Sequence, residues 1–162
     1  EDKMETYRLL LESGARIQEV NAVRKHISGV KGGKFVKGIK CNVVGLIISD
    51  VVGDDISTIA SGITADDSTT FEDAYRVLKN YSLLDRIPES VRRHIEEGLR
   101  GRREETLKKL PENVRNFLIC GSSKICEFAA EHLKRYVRPY IMTSTLEGHA
   151  DSAGLLIGSI VR

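Results

Sequence analysis

The sequence lacks the short motifs by which many nucleotide- and substrate-binding enzymes are recognised. It contains no G-x-x-x-x-G-K-[ST] phosphate loop, no G-x-G-x-x-G dinucleotide motif and no G-x-S-x-G nucleophile turn. It also has no Cys/His cluster with the spacing of metal ligands, because its three cysteines and four histidines are scattered. These absences argue against a P-loop kinase and against a dinucleotide-dependent dehydrogenase.

Cysteine is scarce, and no apolar run approaches the roughly 20 residues that a membrane-spanning helix needs. The three cysteines are odd in number, and Cys41 and Cys120 lie in apolar runs. We therefore predict buried, reduced thiols rather than disulfides, which favours a cytoplasmic protein with no membrane partner.

The 162 residues fit one domain, and 41% hydrophobic with 30% charged residues is typical of a globular protein. The net charge is only +2, but the charges are segregated. Residues 23 to 40 carry six lysines and arginines and no acid, whereas residues 49 to 70 carry five aspartates and no base. Such a distribution suits a site that handles anions. Nucleic acid binding is disfavoured by the near-neutral total and the lack of interleaved aromatic residues.

The first half of the chain alternates helix and strand patterns. Residues 1 to 13 are typical of a helix that ends at Gly14. A second helix is indicated by apolar residues at 17, 20, 23, 27 and 30, and the KGGK segment breaks it. Residues 42 to 49 are apolar on both faces, which predicts a central parallel strand. Thr69 with Glu72 is a candidate capping box for the next helix.

The second half continues the alternation. Pro88 suits the first turn of a helix that ends near Gly98, and residues 100 to 113 are charged surface chain. NFLICGSS predicts a strand, residues 122 to 136 a helix, and PYIMTS a third strand. Residues 145 to 151, which include Glu147, are expected to form a turn before a last helix. The predicted class is α/β, Rossmann-like, with a mainly parallel sheet and helices on both faces.

Two predicted strand ends could carry a ligand, because α/β sheets bind ligands beyond the carboxyl ends of their strands. The first strand is followed by Ser49 and by three aspartates, Asp50, Asp54 and Asp55. Their carboxylates suit a Mg²⁺ ion that bridges to a phosphate. An Asp-rich turn without metal is the alternative. After the second strand, Gly121 and Ser122 begin a helix whose free N–H groups suit phosphate.

The predicted second helix carries a polar strip of Asn21, Arg24 and Ser28 beside its apolar stripe. Arg24 with Asn21 could hold a carboxylate or phosphate, although a solvated face remains the alternative. Lys25 is predicted to point away from the apolar stripe, and His26 to flank its other edge. KGGK could wrap a phosphate or be a simple helix stop, and SGIT could be a ligand-binding turn or an ordinary loop. The other three histidines are read as structural.

Two long segments resemble one known family. LLESGARIQEVNAVRKHISGVKGGK is similar to its LL-SGA-I-E-N-VRKHLS-IKGG segment. LIISDVVGDDISTIASGITADDSTTFEDAYRVLKNY resembles its LSDVVGDDLSVIASGPT-PD-TTF-DA--VL--Y segment, and IPESVRRHIEEG and LEGHADSAG continue the match. The chain therefore resembles the N-terminal domain of the glycerate 2-kinases whose C-terminal domain is named MOFRL. Ile63 stands where the family has proline.

The resemblance implies a transferase of carbohydrate metabolism that phosphorylates D-glycerate at its 2-hydroxyl with ATP and a divalent cation such as Mg²⁺. The matched motifs point to Arg24, Lys31, Asp50 and Asp54, for which we infer catalytic roles, with Asp50, Asp54 and Asp55 as candidate metal ligands. They also point to substrate- or nucleotide-binding roles for Lys25, His26, Gly32, Gly33, Ser49, Ser61, Gly62 and Thr64. The polar strip of the second helix and the second strand end add Asn21, Gly121 and Ser122 to the binding candidates.

The resemblance also implies that residues 1–162 are part of a larger enzyme. The family's upstream Gly/Ser-rich segment and its MOFRL domain are not in this sequence, so the isolated chain is expected to be inactive. The active site is expected in a cleft facing the second domain, and a homodimer is left open. The alternative function is a non-catalytic α/β module that binds a sugar acid or nucleotide.

Overall fold

The structure is a computed structural model that describes residues 1–146 and 148–161. The predicted turn residue Glu147 therefore lies outside the described residues. The chain divides into two compact units. Unit 1 contains Glu1–Gly45 and Ile56–Phe117, and unit 2 contains Leu46–Asp55 and Leu118–Arg162.

Helices and two strands alternate along the chain. The elements are α1 (Asp2–Glu12), α2 (Ile17–His26), β1 (Val43–Ile48), α3 (Phe71–Asn80), α4 (Glu89–Leu99), β2 (Val114–Cys120), α5 (Ser122–Leu133) and α6 (Ala150–Val161). Short 3₁₀ turns lie at Lys34–Val36 and Ile59–Ser61. Within the described residues, none of the helices has both the length and the apolar character needed to cross a membrane.

The two strands pair in parallel, which confirms the predicted α/β class. Val43 N donates to Asn113 O at 2.8 Å, and Ser49 N donates to Cys120 O at 2.8 Å, so the pairing advances in the same direction along both strands. Alternate residues of β1 are exposed in this chain, namely Val44, Leu46 and Ile48. The predicted third strand, PYIMTS, is wrong, because residues 139 to 144 have no partner strand among the described residues.

The core of unit 1 is built from α1 to α4. Its fully buried members include Leu10, Val23, Phe71, Leu78 and Ile95. The apolar stripe of α2 is buried only at its centre. Its two ends, Ile17 and Val30, are exposed, since the first begins the helix and the second lies beyond its end.

The N-terminus of α3 is capped one residue later than the sequence pattern predicts. Thr70 is the N-cap, and its hydroxyl accepts a hydrogen bond from the backbone N–H of Asp73. The Asp73 carboxylate in turn accepts a hydrogen bond from the Thr70 N–H. Both Thr69 and Thr70 fit the pattern with an acid three residues later. Thr69 is used elsewhere, because its hydroxyl donates to Asp67.

All three cysteines are free thiols, as predicted, but they are not buried. Cys41 is exposed, and Cys120 and Cys126 are half-buried. The predicted burial of Cys41 is wrong because Cys41 lies before β1 begins, outside the core cluster of unit 1.

Gly98 has a packing role that its position near the end of α4 does not reveal. A Cβ at this residue would overlap the ring of Phe71, which is buried and edge-on to His26. We expect Gly98→Ala to lower the free energy of unfolding by about 2 kcal/mol, since an overpacked core site costs more than helix propensity returns. Urea unfolding of the full-length protein that contains this chain measures the change.

A helical glycine in open space is the matched control. No atom lies within 4 Å of a Cβ built on Gly158 in α6. Gly158→Ala is therefore expected to raise stability by about 0.5 to 1 kcal/mol through helix propensity alone. Equal effects of the two substitutions would contradict the proposed packing of Phe71 on α4.

Candidate anion-binding site

Two glycine-containing loops that are distant in sequence are joined in unit 1. Gly32 N donates to Ser61 O at 3.1 Å, and Gly33 N donates to Gly62 O at 2.7 Å. Both glycines of the first loop have left-handed φ values, +62° and +74°. The structure therefore brings together the KGG and SGIT segments, which the sequence marked only as separate candidates.

The second loop has an unusual backbone. Ala60, Ser61 and Gly62 have φ values of 50°, 59° and 64°, three consecutive left-handed residues of which only one is glycine. The left-handed conformation costs a non-glycine residue roughly 1 to 2 kcal/mol. Strained backbone of this kind is concentrated at binding and catalytic sites.

Asn21, from the polar strip of α2, contacts this strained loop. Asn21 is buried, and its Oδ1 accepts a hydrogen bond from Ser61 Oγ at 2.9 Å. Arg24 lies one turn further on, with its guanidinium 5.0 Å from the centre of the Tyr7 ring. The Arg24 Nε is buried and has no hydrogen-bond partner. A buried donor without an acceptor is costly unless a ligand satisfies it.

Lys31 adds a second cation next to Arg24. Its Nζ donates to Ala60 O at 2.8 Å, on the strained loop. Partial burial and the positive charge of Arg24 both lower the pKa of Lys31. Neither cation forms an ion pair with an acidic side chain in the described part of the chain. Two neighbouring cations without an acid form a site suited to a carboxylate or a phosphate.

Lys25 and His26 are buried in unit 1. Lys25 was predicted to point away from the apolar stripe. It instead forms an ion pair with Asp67, with Nζ 3.0 Å from Oδ1. His26 Nδ1 donates to Ala22 O at 2.7 Å, and its Nε2 lies 3.0 Å from Glu105 Oε2. The protein itself satisfies these side chains, and their predicted contact with a ligand stays a prediction.

Thr64 belongs to the same site through a partner that the sequence did not indicate. Its Oγ1 donates to Asn116 Oδ1 at 2.8 Å, and Asn116 Nδ2 donates to Thr64 O at 2.8 Å. Asn116 also approaches the backbone of β1, where a Cβ on Gly45 would overlap its side chain. Thr64, the fourth residue of SGIT, is thereby linked through Asn116 to the first halves of β1 and β2, which belong to unit 1.

The acidic loop of unit 2 begins in a tight turn. Ser49 is buried, and its Oγ accepts a hydrogen bond from Val51 N at 3.1 Å. Asp54 is a non-glycine residue with a φ of 54°. Its carboxylate lies against Gly121, at the N-terminus of α5 next to Ser122, so closely that a Cβ there would overlap it. This position favours a negative charge.

Asp54 is also the member of the acidic loop with an unsatisfied atom. Its Oδ1 is buried and has no hydrogen-bond partner, whereas Asp50 and Asp55 are exposed. Residues 1–146 and 148–161 contain no group of three His, Cys, Asp or Glu side chains that could hold a metal ion. A Mg²⁺ site can use one or two carboxylates, with phosphate and water oxygens as its other ligands. Asp54 fits such a site.

A separate cavity of about 720 Å³ lies in unit 1. It is bordered by residues 1 to 3, residues 27 to 29 just after α2, Lys34, the first half of α4 and residues 103 to 104. His94 lines it and donates from Nε2 to His26 O at 3.0 Å. Neither Arg24 nor Lys31 lines it, although Lys34 directly follows Gly33.

Comparison with known proteins gives consistent matches. The chain is 58% identical over 163 residues to the glycerate 2-kinase of Pyrococcus horikoshii, covering all of this chain and 37% of that protein. It is 42% identical over 155 residues to the D-glycerate 2-kinase of Thermotoga maritima, covering 94% of this chain and 35% of that one. The chain thus spans about a third of the length of these relatives. The resemblance inferred from the motifs is confirmed.

A solved structure shares the fold. A crystal structure of a protein from Pyrococcus horikoshii OT3 matches with a TM-score of 0.79 and 58% identity, over 99% of this chain and 37% of that one. A family model described as "Domain of unknown function (DUF4147)" matches residues 1–96. The chain therefore belongs to the DUF4147 family.

Proposed function

We propose that the protein containing this chain is a cytoplasmic, ATP-dependent glycerate 2-kinase that converts D-glycerate to 2-phosphoglycerate. The relatives named glycerate 2-kinase and D-glycerate 2-kinase support this reaction. The observation that carries it is the acid-free pair of Arg24 and Lys31 beside the strained Ser61 loop. In this proposal the chain is part of the N-terminal α/β domain, and a second, MOFRL-type domain completes the site.

The basic site would hold the negative groups of the substrates. Arg24 can donate its unpaired Nε–H to a carboxylate or phosphate oxygen, and Lys31 can donate its ammonium hydrogens to the same anion. The hydrogen bond from Lys31 to Ala60 O holds this cation against the backbone, which limits the reorganisation needed during reaction. Phosphoryl transfer depends largely on such positioning and charge stabilisation.

The chemistry requires one bond exchange and one proton transfer. The 2-hydroxyl oxygen of D-glycerate forms a bond to the γ-phosphorus of ATP, and the bond from that phosphorus to the ADP oxygen breaks. The hydroxyl proton must leave to a base. Asp50 and Asp54 are the carboxylates that we propose for this role or for metal binding.

Mg²⁺ would be held by Asp54, with Asp50 and Asp55 as further carboxylates, and when bound it would neutralise phosphate charge. The buried, unpartnered Oδ1 of Asp54 supports this assignment. Ser49 shapes the turn that carries these acids, while Gly121 and Ser122 offer the N-terminus of α5 to a phosphate.

Removing the charge of Asp54 is expected to lower activity strongly while changing stability little. Asp54→Asn in the full-length protein should lower kcat by about 100-fold or more, the usual contribution of a positioned acid–base group. Stability should change by less than about 1 kcal/mol, because losing the favourable interaction with the N-terminus of α5 opposes the relief of a carboxylate whose buried Oδ1 has no partner. Steady-state kinetics and thermal unfolding measure the two effects.

Asp66→Asn is the matched control, since Asp66 is an exposed aspartate of the same acidic segment. It should leave both turnover and stability within error of the parent. If Asp54→Asn destabilises the protein and leaves kcat unchanged, the Asp54 carboxylate serves to cap α5, and its assignment to the chemistry is wrong.

The function itself is tested by incubating the full-length protein with D-glycerate, ATP and Mg²⁺, with and without EDTA. The 2- and 3-phosphoglycerate products are then resolved. The proposal predicts 2-phosphoglycerate in the Mg²⁺ reaction and its loss with EDTA. Binding of glycerate or ATP by calorimetry without any product would instead favour a non-catalytic binding module.

A further inference from the structure

A buried ion pair lies directly behind the two joined loops. The side chains of Lys25 and Asp67 are only 6% and 1% exposed, with Nζ and Oδ1 3.0 Å apart. Asp67 Oδ1 also accepts hydrogen bonds from the N–H and the hydroxyl of Thr69, at 3.2 and 2.9 Å. Burial raises the pKa of Asp67, but the hydrogen bonds from Lys25 and Thr69 lower it by more, so the carboxyl is ionised at neutral pH.

A pair of this kind is weak evidence for stability, because removing two charges from water costs about as much as their attraction returns. It does fix geometry, since each partner has one satisfactory position. Both side chains already have partners within the protein, Lys25 in Asp67 and Asp67 in Lys25 and Thr69. We therefore consider a role for the pair in holding the loops in place.

Hydrogen bonds connect the pair to the candidate anion site. Asp67 N donates to Leu107 O at 2.8 Å, and Leu107 N donates to Gly32 O at 2.9 Å. Gly32 N then donates to Ser61 O at 3.1 Å. From the other side, a Cβ built on Gly32 would lie 3.3 Å from Lys25 Cβ, so the start of the Lys25 side chain lies close to Gly32. Both partners of the ion pair therefore lie near Gly32, Lys25 by packing and Asp67 through the backbone of Leu107.

We propose that the Lys25–Asp67 pair is a positioning element that holds residues 32–33 against residues 61–62, and so places Lys31 and Ser61 for anion binding. This inference rests on the proposed function only for its effect on catalysis. Its effect on the loops concerns the folded chain alone. The proposed positioning role connects Asp67 to the anion site and makes the contribution of Lys25 to that site indirect.

Amide hydrogen exchange tests the proposal at the loops themselves. In the full-length protein, Lys25→Met and Asp67→Asn should each speed exchange at the Gly32 and Gly33 amides by about tenfold or more, by local opening. The double variant should show little further increase, because the two side chains act as one unit. Thr69→Val keeps both charges and should produce a smaller increase at the same two amides.

The control is a core substitution of similar overall cost that lies away from the loops. Leu83 is fully buried in the core of unit 1, and Leu83→Ala should lower the melting temperature without a selective increase at Gly32 and Gly33. If the charge variants, at matched loss of stability, show no greater exchange at these amides than Leu83→Ala, the positioning role is wrong. If the charge variants fail to fold, exchange at these amides in Thr69→Val is compared with exchange in Leu83→Ala by the same criterion.

Kinetics provide a separate readout. If the loops are displaced, kcat/KM for D-glycerate phosphorylation should fall by about 10- to 100-fold in Lys25→Met and remain near the parental value in Leu83→Ala, assayed where both are folded. Equal losses in the two variants would contradict positioning. If the parent makes no phosphoglycerate, the proposed function fails, whereas the exchange experiment still decides the role of the pair.

Discussion

Lys31→Met in the full-length protein is expected to lower kcat/KM for D-glycerate phosphorylation by about 100-fold or more. Lys31 donates to the strained backbone at Ala60 and lies beside Arg24 without an acidic partner. Its charge is therefore available for an incoming anion. Losing one charged donor to a developing negative charge typically reduces catalysis by roughly 10²- to 10³-fold. Steady-state kinetics with varied D-glycerate and ATP measure the loss.

Lys37→Met is the matched control for charge. Lys37 lies in the same basic segment but is exposed and pairs with Glu104. Its substitution should change kcat/KM by less than about twofold, since an exposed ion pair contributes little. If both lysine variants lose activity equally, the total positive charge of residues 23 to 40 matters, and the specific site around Lys31 does not.

Gly33→Ala is expected to be among the most destabilising single changes in unit 1. Gly33 has a φ of +74°, and an added Cβ would lie 2.7 Å from both Ala65 O and Leu107 Cβ. Left-handed strain and overpacking together predict a loss of about 2 to 5 kcal/mol in the free energy of unfolding. Gly33 N also donates a hydrogen bond to Gly62 O, so displacing Gly33 should break this bond and separate the two joined loops. Urea unfolding and the glycerate assay follow both effects.

Gly38→Ala separates backbone strain from crowding. Gly38 has a φ of +76°, but no atom lies within 4 Å of a Cβ at this position. We expect this variant to lose only about 1 kcal/mol, the backbone contribution alone. A similar loss at both glycines would mean that the loops can move apart at residue 33 without cost, in conflict with the packing described here.

The local patterns were sufficient for most of the fold. The apolar run of β1 predicted the strand to within one residue at each end, whereas the periodicity of α2 predicted its start but extended four residues past its end. The errors occurred where two solutions fit the same local pattern. Thr69 and Thr70 both satisfy a capping box, and the choice depends on Asp67, which occupies the Thr69 hydroxyl. PYIMTS has strand-like composition, but a strand also needs a neighbour to pair with.

The candidate site was predictable only in part. Arg24, Lys31 and Ser61 were selected from the motifs, and the structure places Lys31 near Arg24 and in contact with the loop that carries Ser61. Lys25 was selected only from the VRKH resemblance and is buried in an ion pair with Asp67, which lies 42 residues away in sequence. Helix periodicity gives the direction of a side chain relative to its own helix, and it contains no information on such a distant partner. Asn116 was missed for the same reason.

The most direct test of the account is a crystal structure of the full-length protein with D-glycerate and a non-hydrolysable ATP analogue. We expect a carboxylate or phosphate oxygen within about 3.2 Å of a nitrogen of Arg24 and of a nitrogen of Lys31, which is the normal range of charge-assisted hydrogen bonds. A ligand bound elsewhere, with no anionic oxygen near either cation, would contradict the assignment of these two residues to the anion site.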